Sequence, residues 1–344
     1  MEYHFLGKTG LLVSEFCFGT MTFGGKGYWE AIGKVNQEGA DDLIKGALEA
    51  GINFIDTANI YSYGQSELLL GKALKNLGVS RNDMILATKV RGRMGSGVNQ
   101  IGLSRFHIIQ SIEESLQRLG TDHIDLLYVH GMDRYTSEEE TMCTLNDLVR
   151  TGKVRYLGVC NWPAWRVMKA NGIAEKNGWS RFIALQYLYS LANRDIERDI
   201  IPMAADQHLA LFPWSPLAGG YLSGKYSRNQ EKAGDSRRDS FDFPPVDKHR
   251  IYDIIDALLE LGKSRGVSAA QVALAWVRSQ SGVTSTILGA RHLGQLTDNL
   301  ASAALRFTGD ELKVLDDLSN PGPSYPAWMV ERQHRDRLPN QIDI

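Results

Sequence analysis

A chain of 344 residues can hold one large domain or two small ones, and 43% hydrophobic content suits a globular protein with a substantial core. Its 38 Lys and Arg nearly balance 40 Asp and Glu, which leaves no electrostatic footprint for nucleic acid or an acidic membrane. Cys17, Cys143 and Cys160 are an odd number without CxxC or metal-type spacing, which argues against a disulfide framework and a metal centre.

The amino end, Met1-Glu2-Tyr3-His4-Phe5, lacks a basic segment followed by an apolar run, and no stretch approaches the roughly 18 uninterrupted apolar residues of a spanning helix. A cytoplasmic protein is the expectation. Residues 3–6 and 11–13 flank Gly7-Lys8-Thr9-Gly10, a hairpin signal. Residues 15–20 read as a first strand, and 23–39 carry the glycine and aromatic content of a loop. Strands and helices then alternate. Residues 41–50 read as a helix with Leu43, Ile44, Ala47 and Leu48 on one stripe, and 51–55 as a short strand ending on Asp56. A helix over 66–75 precedes a strand over 84–88 that ends on Lys89. Phe106, Ile109, Ile112, Leu116 and Leu119 step by three and four toward Gly120, and residues 124–129 form a strand ending on His130.

Ser137-x-x-Glu140 reads as a capping box opening a helix that runs to Gly152. Residues 154–159, 182–185, 209–212 and 284–288 bring the strands to eight. The segment 219–245 is too long and polar for a simple connector, which marks it as a functional or mobile loop. A helix over 247–265 follows, then one opened by Ser268-x-x-Gln271, one over 292–303 and one capped by Thr308-x-x-Glu311. The pattern predicts an α/β fold, a single (β/α)8 TIM barrel spanning 1–344. The barrel proper covers about 13–305, with an N-terminal β-hairpin, two extra helices, a long loop after the seventh strand and a tail over about 320–344.

Three consecutive strands thus deliver Asp56, Lys89 and His130 at their carboxyl ends, with Tyr61 just beyond the first. In a parallel barrel those ends form the face where active sites sit. The ordered pieces are Asp56-Thr57-Ala58 with Tyr61 and Gly64-x-Ser66-Glu67, Ala87-Thr88-Lys89, and Asp125-Leu126-Leu127-Tyr128-Val129-His130. Further on come Gly158-Val159-Cys160-Asn161, Gln186-x-x-Tyr189-Ser190, Trp214-Ser215-Pro216-Leu217 and Gly289-Ala290-Arg291 with Gln295 and Asn299. Together they resemble the aldo-keto reductase superfamily, from about Tyr3 to Ser319. The resemblance implies an NADP(H)-dependent oxidoreductase moving a hydride between nicotinamide and a carbonyl or alcohol.

Such a reaction needs a proton donor near the carbonyl oxygen, and tyrosine is a poor acid at its ordinary pKa of about 10. A buried ammonium beside it favours the phenolate, and the ammonium in turn needs a carboxylate to stay charged. Tyr61, Lys89 and Asp56 supply those roles, which their matched positions have in the family. His130 is expected to orient the substrate oxygen.

The same resemblance assigns the cofactor residues. Asn161 and Gln186 match positions that hold the nicotinamide carboxamide, beside Cys160 where the family usually has serine. Trp214 stands where the family places an aromatic against the nicotinamide face. Ser215, Pro216, Leu217 and Gly219, with Lys225 beyond, resemble the loop over the pyrophosphate. Gly289 and Arg291 precede a helix amino end suited to a 2′-phosphate, and Gln295 and Asn299 match positions facing the adenine end. NADP is therefore the first choice, with NAD as an alternative. No G-x-G-x-x-G fingerprint follows the first strand, against a Rossmann domain, and no P-loop, HExxH, GxSxG or EF-hand pattern is present.

Phe23, Tyr28, Trp29, Trp162 and Trp328 suggest an aromatic mouth for a small apolar or ring-bearing substrate. Two other readings compete: a nucleotide-binding regulatory subunit of the same fold, and a lyase forming a Schiff base on Lys89. The physiological substrate, the direction of reaction and the oligomeric state are not legible.

Overall fold

The opening hairpin forms from Tyr3–Phe5 (β1) and Leu12–Ser14 (β2), paired antiparallel as anticipated from its glycine turn. A computed structural model of the chain describes residues 1–230, 238 and 241–335. Within it, eight parallel strands follow: Phe16–Gly19 (β3), Phe54–Asp56 (β4), Ile85–Val90 (β5), Ile124–Val129 (β6), Val154–Cys160 (β7), Phe182–Leu188 (β8), Ala210–Trp214 (β9) and Thr286–Leu288 (β10). They pair in chain order, with β10 beside β3, and a parallel bridge from Leu211 to Val283 with a 2.9 Å hydrogen bond from the Thr284 N–H to the Leu211 carbonyl closes the ring between β9 and β10. This is the expected (β/α)8 barrel.

Alternation along each strand builds two cores. In β6, Leu126 and Tyr128 point into the lumen with Phe54, Ala87, Cys160, Ala184 and Phe212, while Leu127 and Val129 face the helices. Leu6 and Val13 of the hairpin join the lumen cluster, so the hairpin plugs one end of the barrel. Each buried side chain of that size contributes roughly 1.5–3 kcal/mol, enough to hold a two-stranded hairpin that would be marginal alone. Gly7 makes the close fit possible: at φ +57°, a Cβ there would stand 2.9 Å from the His208 carbonyl oxygen.

The helices are Gln37–Glu49 (α1), Gln65–Asn76 (α2), Arg105–Leu119 (α3), Glu138–Arg150 (α4), Ala164–Lys176 (α5), Ile200–Gln207 (α6), Lys248–Arg265 (α7), Ala269–Ser279 (α8), Leu293–Ala301 (α9), Gly309–Ser319 (α10) and Ala327–Arg335 (α11). α7, α10 and, in the tail, α11 are extra to the one-helix-per-strand plan, and α7 and α10 pack on each other. Helix α1 starts at Gln37, four residues before the expected start at residue 41, because Asn36 caps it, accepting from the Gly39 N–H at 3.0 Å. The stripe of α3 also differs from the expectation. Phe106 turns outward, and Ile108, not Ile109, takes the buried position above Ile112, Leu116 and Leu119.

Of three anticipated capping boxes, Thr308 with Glu311 forms both bonds. Ser137 and Ser268 cap their helices, but their partners are drawn elsewhere: Glu140 accepts from the Arg105 N–H at 2.9 Å, and Gln271 donates to Asp298 at 2.7 Å. Tertiary partners replace the local half of the motif. Of the long connection after β9 and of the tail, residues 231–237, 239–240 and 336–344 lie outside the described residues. Among the described residues no helix is long and apolar enough to cross a membrane.

Candidate active site

Strand pairing brings the site together. Asp56 ends β4 opposite Gly19 and Ala87, Lys89 lies one residue from the end of β5, and His130 follows β6, its N–H bonded to the Val90 carbonyl at 3.0 Å. Tyr61 follows β4 at the head of a kinked segment, Tyr61–Gly64, in which Ser62 and Tyr63 are left-handed, and it is held by a 3.1 Å bond from its N–H to the Ala58 carbonyl. The Lys89 ammonium, wholly buried, donates to Asp56 Oδ2 in a short contact, to the Thr57 carbonyl at 2.8 Å and to the Tyr61 hydroxyl at 3.3 Å. The Tyr61 ring meets the His130 ring edge-on, with centroids 5.7 Å apart. The four expected residues therefore converge on one face of the barrel.

A second tier fixes these groups. Ser66 donates to the Thr20 carbonyl at 2.8 Å and its hydroxyl meets those of Thr20 and Thr57. Thr88 donates to Glu67 at 2.6 Å, and Arg118 clamps the other oxygen of Glu67 at 2.7 Å. Glu67, wholly buried, thus anchors α2 and α3 against the strand that carries Lys89. These bonds explain Ser66 and Glu67 of the motif, and Gly64 is left-handed at φ +89°, where a Cβ would stand 2.8 Å from Arg118 Cδ.

Charge states follow from burial and neighbours. Burial is the largest single influence on Lys89 and works to strip its proton, but Asp56, Tyr61 and Cys160 together outweigh it and hold the ammonium above the ordinary lysine range. Burial pushes the Asp56 carboxyl up, against Lys89 and a hydrogen bond from Gln186. For Tyr61 burial pushes the phenol up, Lys89 pulls it down, and the net direction is upward. The expectation of a phenol brought toward neutrality is thereby corrected: the lysine acts in the expected sense, but desolvation of the phenolate is larger. Tyr61 stands as a protonated donor. Burial, with Lys89 and Arg91, holds His130 well below the usual histidine range, so its imidazole is neutral at pH 7.

The residues anticipated around a cofactor lie in or just after β7 to β10. Trp214 ends β9, its indole N–H donating to Asn161 Oδ1 at 3.0 Å, and Asn161 is held at φ +58°. Gln186, in β8, donates to Asp56 Oδ1 at 2.9 Å. Cys160 is buried in the lumen. After Trp214 the backbone is left-handed at Ser215, Ala218, Gly219 and Gly220, and Ser215 Oγ accepts from the Gly219 N–H at 2.9 Å. Pro216 is buried, Leu217 packs on two core clusters, and Lys225 is exposed. Past β10, Gly289 is exposed and the Arg291 N–H donates to Gln295 Oε1 at 3.0 Å. His292 caps α9, and Asn299 is buried two turns in.

The aromatics expected at the mouth divide. Trp29 packs edge-on against Tyr61, with centroids 5.4 Å apart, and Tyr28, 61% exposed, stands beside it. Phe23 and Trp162 instead lie in the core, against Phe18 and Phe182. Trp328 is on α11, 44% exposed, against Tyr325 of its own segment. Two residues not singled out from sequence complete the rim. Phe241 meets Tyr28 at 5.5 Å, and Phe243 stacks flat on Trp214 at 5.8 Å. An Arg238–Asp242 pair at 2.8 Å, with the Arg238 guanidinium over Tyr221, ties this strap down. The two phenylalanines in an otherwise polar segment were the available signal.

Comparisons with known proteins agree with this arrangement. A family model described as "Aldo/keto reductase family" matches residues 15–320. The chain is 35% identical to "Versiconal hemiacetal acetate reductase" of Aspergillus parasiticus, covering 95% of this chain and 99% of that protein. It is 37% identical to "Uncharacterized oxidoreductase YrpG" of Bacillus subtilis (strain 168), over 94% and 97% of the two chains. It is 38% identical to "Norsolorinic acid reductase stcV" of Emericella nidulans, over 90% and 79%.

Proposed function

This chain belongs to the aldo/keto reductase family, an oxidoreductase family that generally uses nicotinamide cofactors, and from that premise we propose that it reduces carbonyls, or oxidises the corresponding alcohols, with NADP(H). The observation that carries the proposal is the Lys89 ammonium, held between the Asp56 carboxylate and the Tyr61 hydroxyl at 3.3 Å. In this reading Tyr61 is the general acid, His130 donates a hydrogen bond to the substrate oxygen from its neutral ring, and Asp56 keeps Lys89 charged. As the carbonyl oxygen gains negative charge, the Tyr61 proton passes to it and the phenolate left behind is stabilised by Lys89.

A bound nicotinamide supplies the hydride that no side chain can provide. The residues present fit such a group. Trp214 offers a flat aromatic face, already used by Phe243, and Asn161 and Gln186 offer amides complementary to a carboxamide. The left-handed turn over Ser215 to Gly220, with its Ala218, Gly219 and Gly220 N–H groups bonded within the turn, lies where a diphosphate would run, and Lys225 beyond it supplies a cation. Arg291 at the amino end of α9 supports NADP over NAD, with Gln295 and Asn299 toward the adenine. Trp29, Tyr28 and Phe241 frame a slot for a small apolar or ring-bearing substrate.

The Schiff-base reading loses support, because a lysine held protonated by Asp56 is not a nucleophile. The test is nicotinamide-linked absorbance with a panel of aryl and alkyl aldehydes and ketones, with Tyr61→Phe as control. Turnover lost in the variant supports the proposal. Tight cofactor binding without turnover of any carbonyl or alcohol supports the regulatory-subunit reading instead.

A further inference from the structure

Asp56 and Gln186 belong to β4 and β8, four strands apart in a ring of eight, so their 2.9 Å hydrogen bond crosses the lumen from one wall to the opposite one. A carboxylate can only accept, so this bond orients the amide: Nε2 faces Asp56 and Oε1 faces away. The Tyr128 phenol also meets this amide from β6. Asp56 therefore has one oxygen on the Lys89 ammonium and the other on Gln186, and Lys89 in turn reaches Tyr61. Gln186, Asp56, Lys89 and Tyr61 form one unbroken hydrogen-bonded chain.

We infer that Gln186 is a positioning residue for the acid–base chemistry, tying the nicotinamide pocket to Tyr61 through Asp56 and Lys89. The inference rests on the carbonyl-reductase reading above. Gln186 donates one N–H to Asp56 and keeps Oε1 as an acceptor for a carboxamide N–H. The same amide that seats the cofactor thus partly offsets the Asp56 charge. With less of its own charge cancelled by Asp56, Lys89 acts more strongly on the Tyr61 phenol.

The other titratable groups around this chain are Cys17 from β3, Tyr128 from β6, Cys160 from β7 and His130 beyond β6. Burial holds both thiols and the Tyr128 phenol above their ordinary ranges, and His130 is held neutral. Across neutral pH the charges acting on Tyr61 are thus those of Asp56 and Lys89, and the donor on Asp56 is positioned to alter their balance.

The test is Gln186→Leu, which keeps bulk and removes the donor, read in two ways. One is an ultraviolet difference titration of the Tyr61 phenolate in cofactor-free protein, with Tyr61→Phe subtracted. The other is the pH dependence of kcat for alcohol oxidation. The expected result is a midpoint moved to higher pH by about half a unit or more in both. Weaker NADPH binding with an unmoved midpoint would make Gln186 a cofactor contact alone and overturn the inference. Gln186→Met gives the same reading if the leucine variant fails to fold. If the cofactor-free midpoint moves but the wild-type protein binds no nicotinamide, the link stands and the proposed function falls.

Discussion

The indole of Trp214 and the phenyl ring of Phe243 lie face to face, their planes 9° apart and their centroids separated by 5.8 Å. In the proposed pose, a nicotinamide takes a face of that indole, so Phe243 holds the surface the cofactor needs. An aromatic pair of this kind is worth roughly 0.5–1.5 kcal/mol. Phe243→Ala is therefore expected to bind NADPH about 2- to 10-fold more tightly, measured by calorimetry. Unchanged or weaker binding would make Phe243 a clamp on the bound state rather than its competitor.

Tyr61→Phe removes the proton donor and little else, since the ring still packs on Trp29 and His130. Turnover should fall by about 10²- to 10⁴-fold, the range for a lost general acid, while the dissociation constant for NADPH stays within about twofold.

Lys89→Met leaves the Asp56 carboxylate buried without its ammonium, a loss of roughly 3–5 kcal/mol for breaking a buried pair from one side. The melting temperature should drop, and the Tyr61 limb of the pH–rate profile should move to higher pH because the charge that favours its phenolate is gone. An unchanged profile would contradict this account of how Tyr61 is tuned.

His130 gives a pH dependence of the opposite kind. The unfolded histidine takes a proton near pH 6.5, whereas the folded one does so well below that. Between those values the unfolded state binds more protons, so the contribution to stability is present above about pH 6.5 and is lost as pH falls through the window. His107, also held below its ordinary range by burial, acts in the same direction. Urea denaturation from about pH 7 to 5 should show a shallower decline in His130→Gln than in the wild-type chain.

The barrel and the convergence of Asp56, Tyr61, Lys89 and His130 were legible because both are written locally. Each of Asp56, Lys89 and His130 sits within a residue of a strand end that its own apolar run announces. What escaped was written across the fold. The Gln186–Asp56 bond joins residues 130 positions apart, and nothing near either residue signals it. Phe241 and Phe243 reach the mouth through a long connection whose path is not local information. Glu140 and Gln271 have the spacing of capping boxes but bond to Arg105 and Asp298, partners that only packing supplies. The phenol of Tyr61 follows the same rule: its neighbours could be named in advance, but the desolvation that outweighs Lys89 is a property of the closed barrel.

The most direct measurement is titration of the purified protein with NADPH and then NADH, following tryptophan fluorescence in the wild type and in Trp214→Phe. The chain has seven tryptophans, so the variant is what assigns the signal. Saturable quenching, tighter with NADPH and largely lost in Trp214→Phe, is the predicted result. No quenching by either cofactor, with no binding in equilibrium dialysis, would contradict the reading of this barrel mouth as a nicotinamide site.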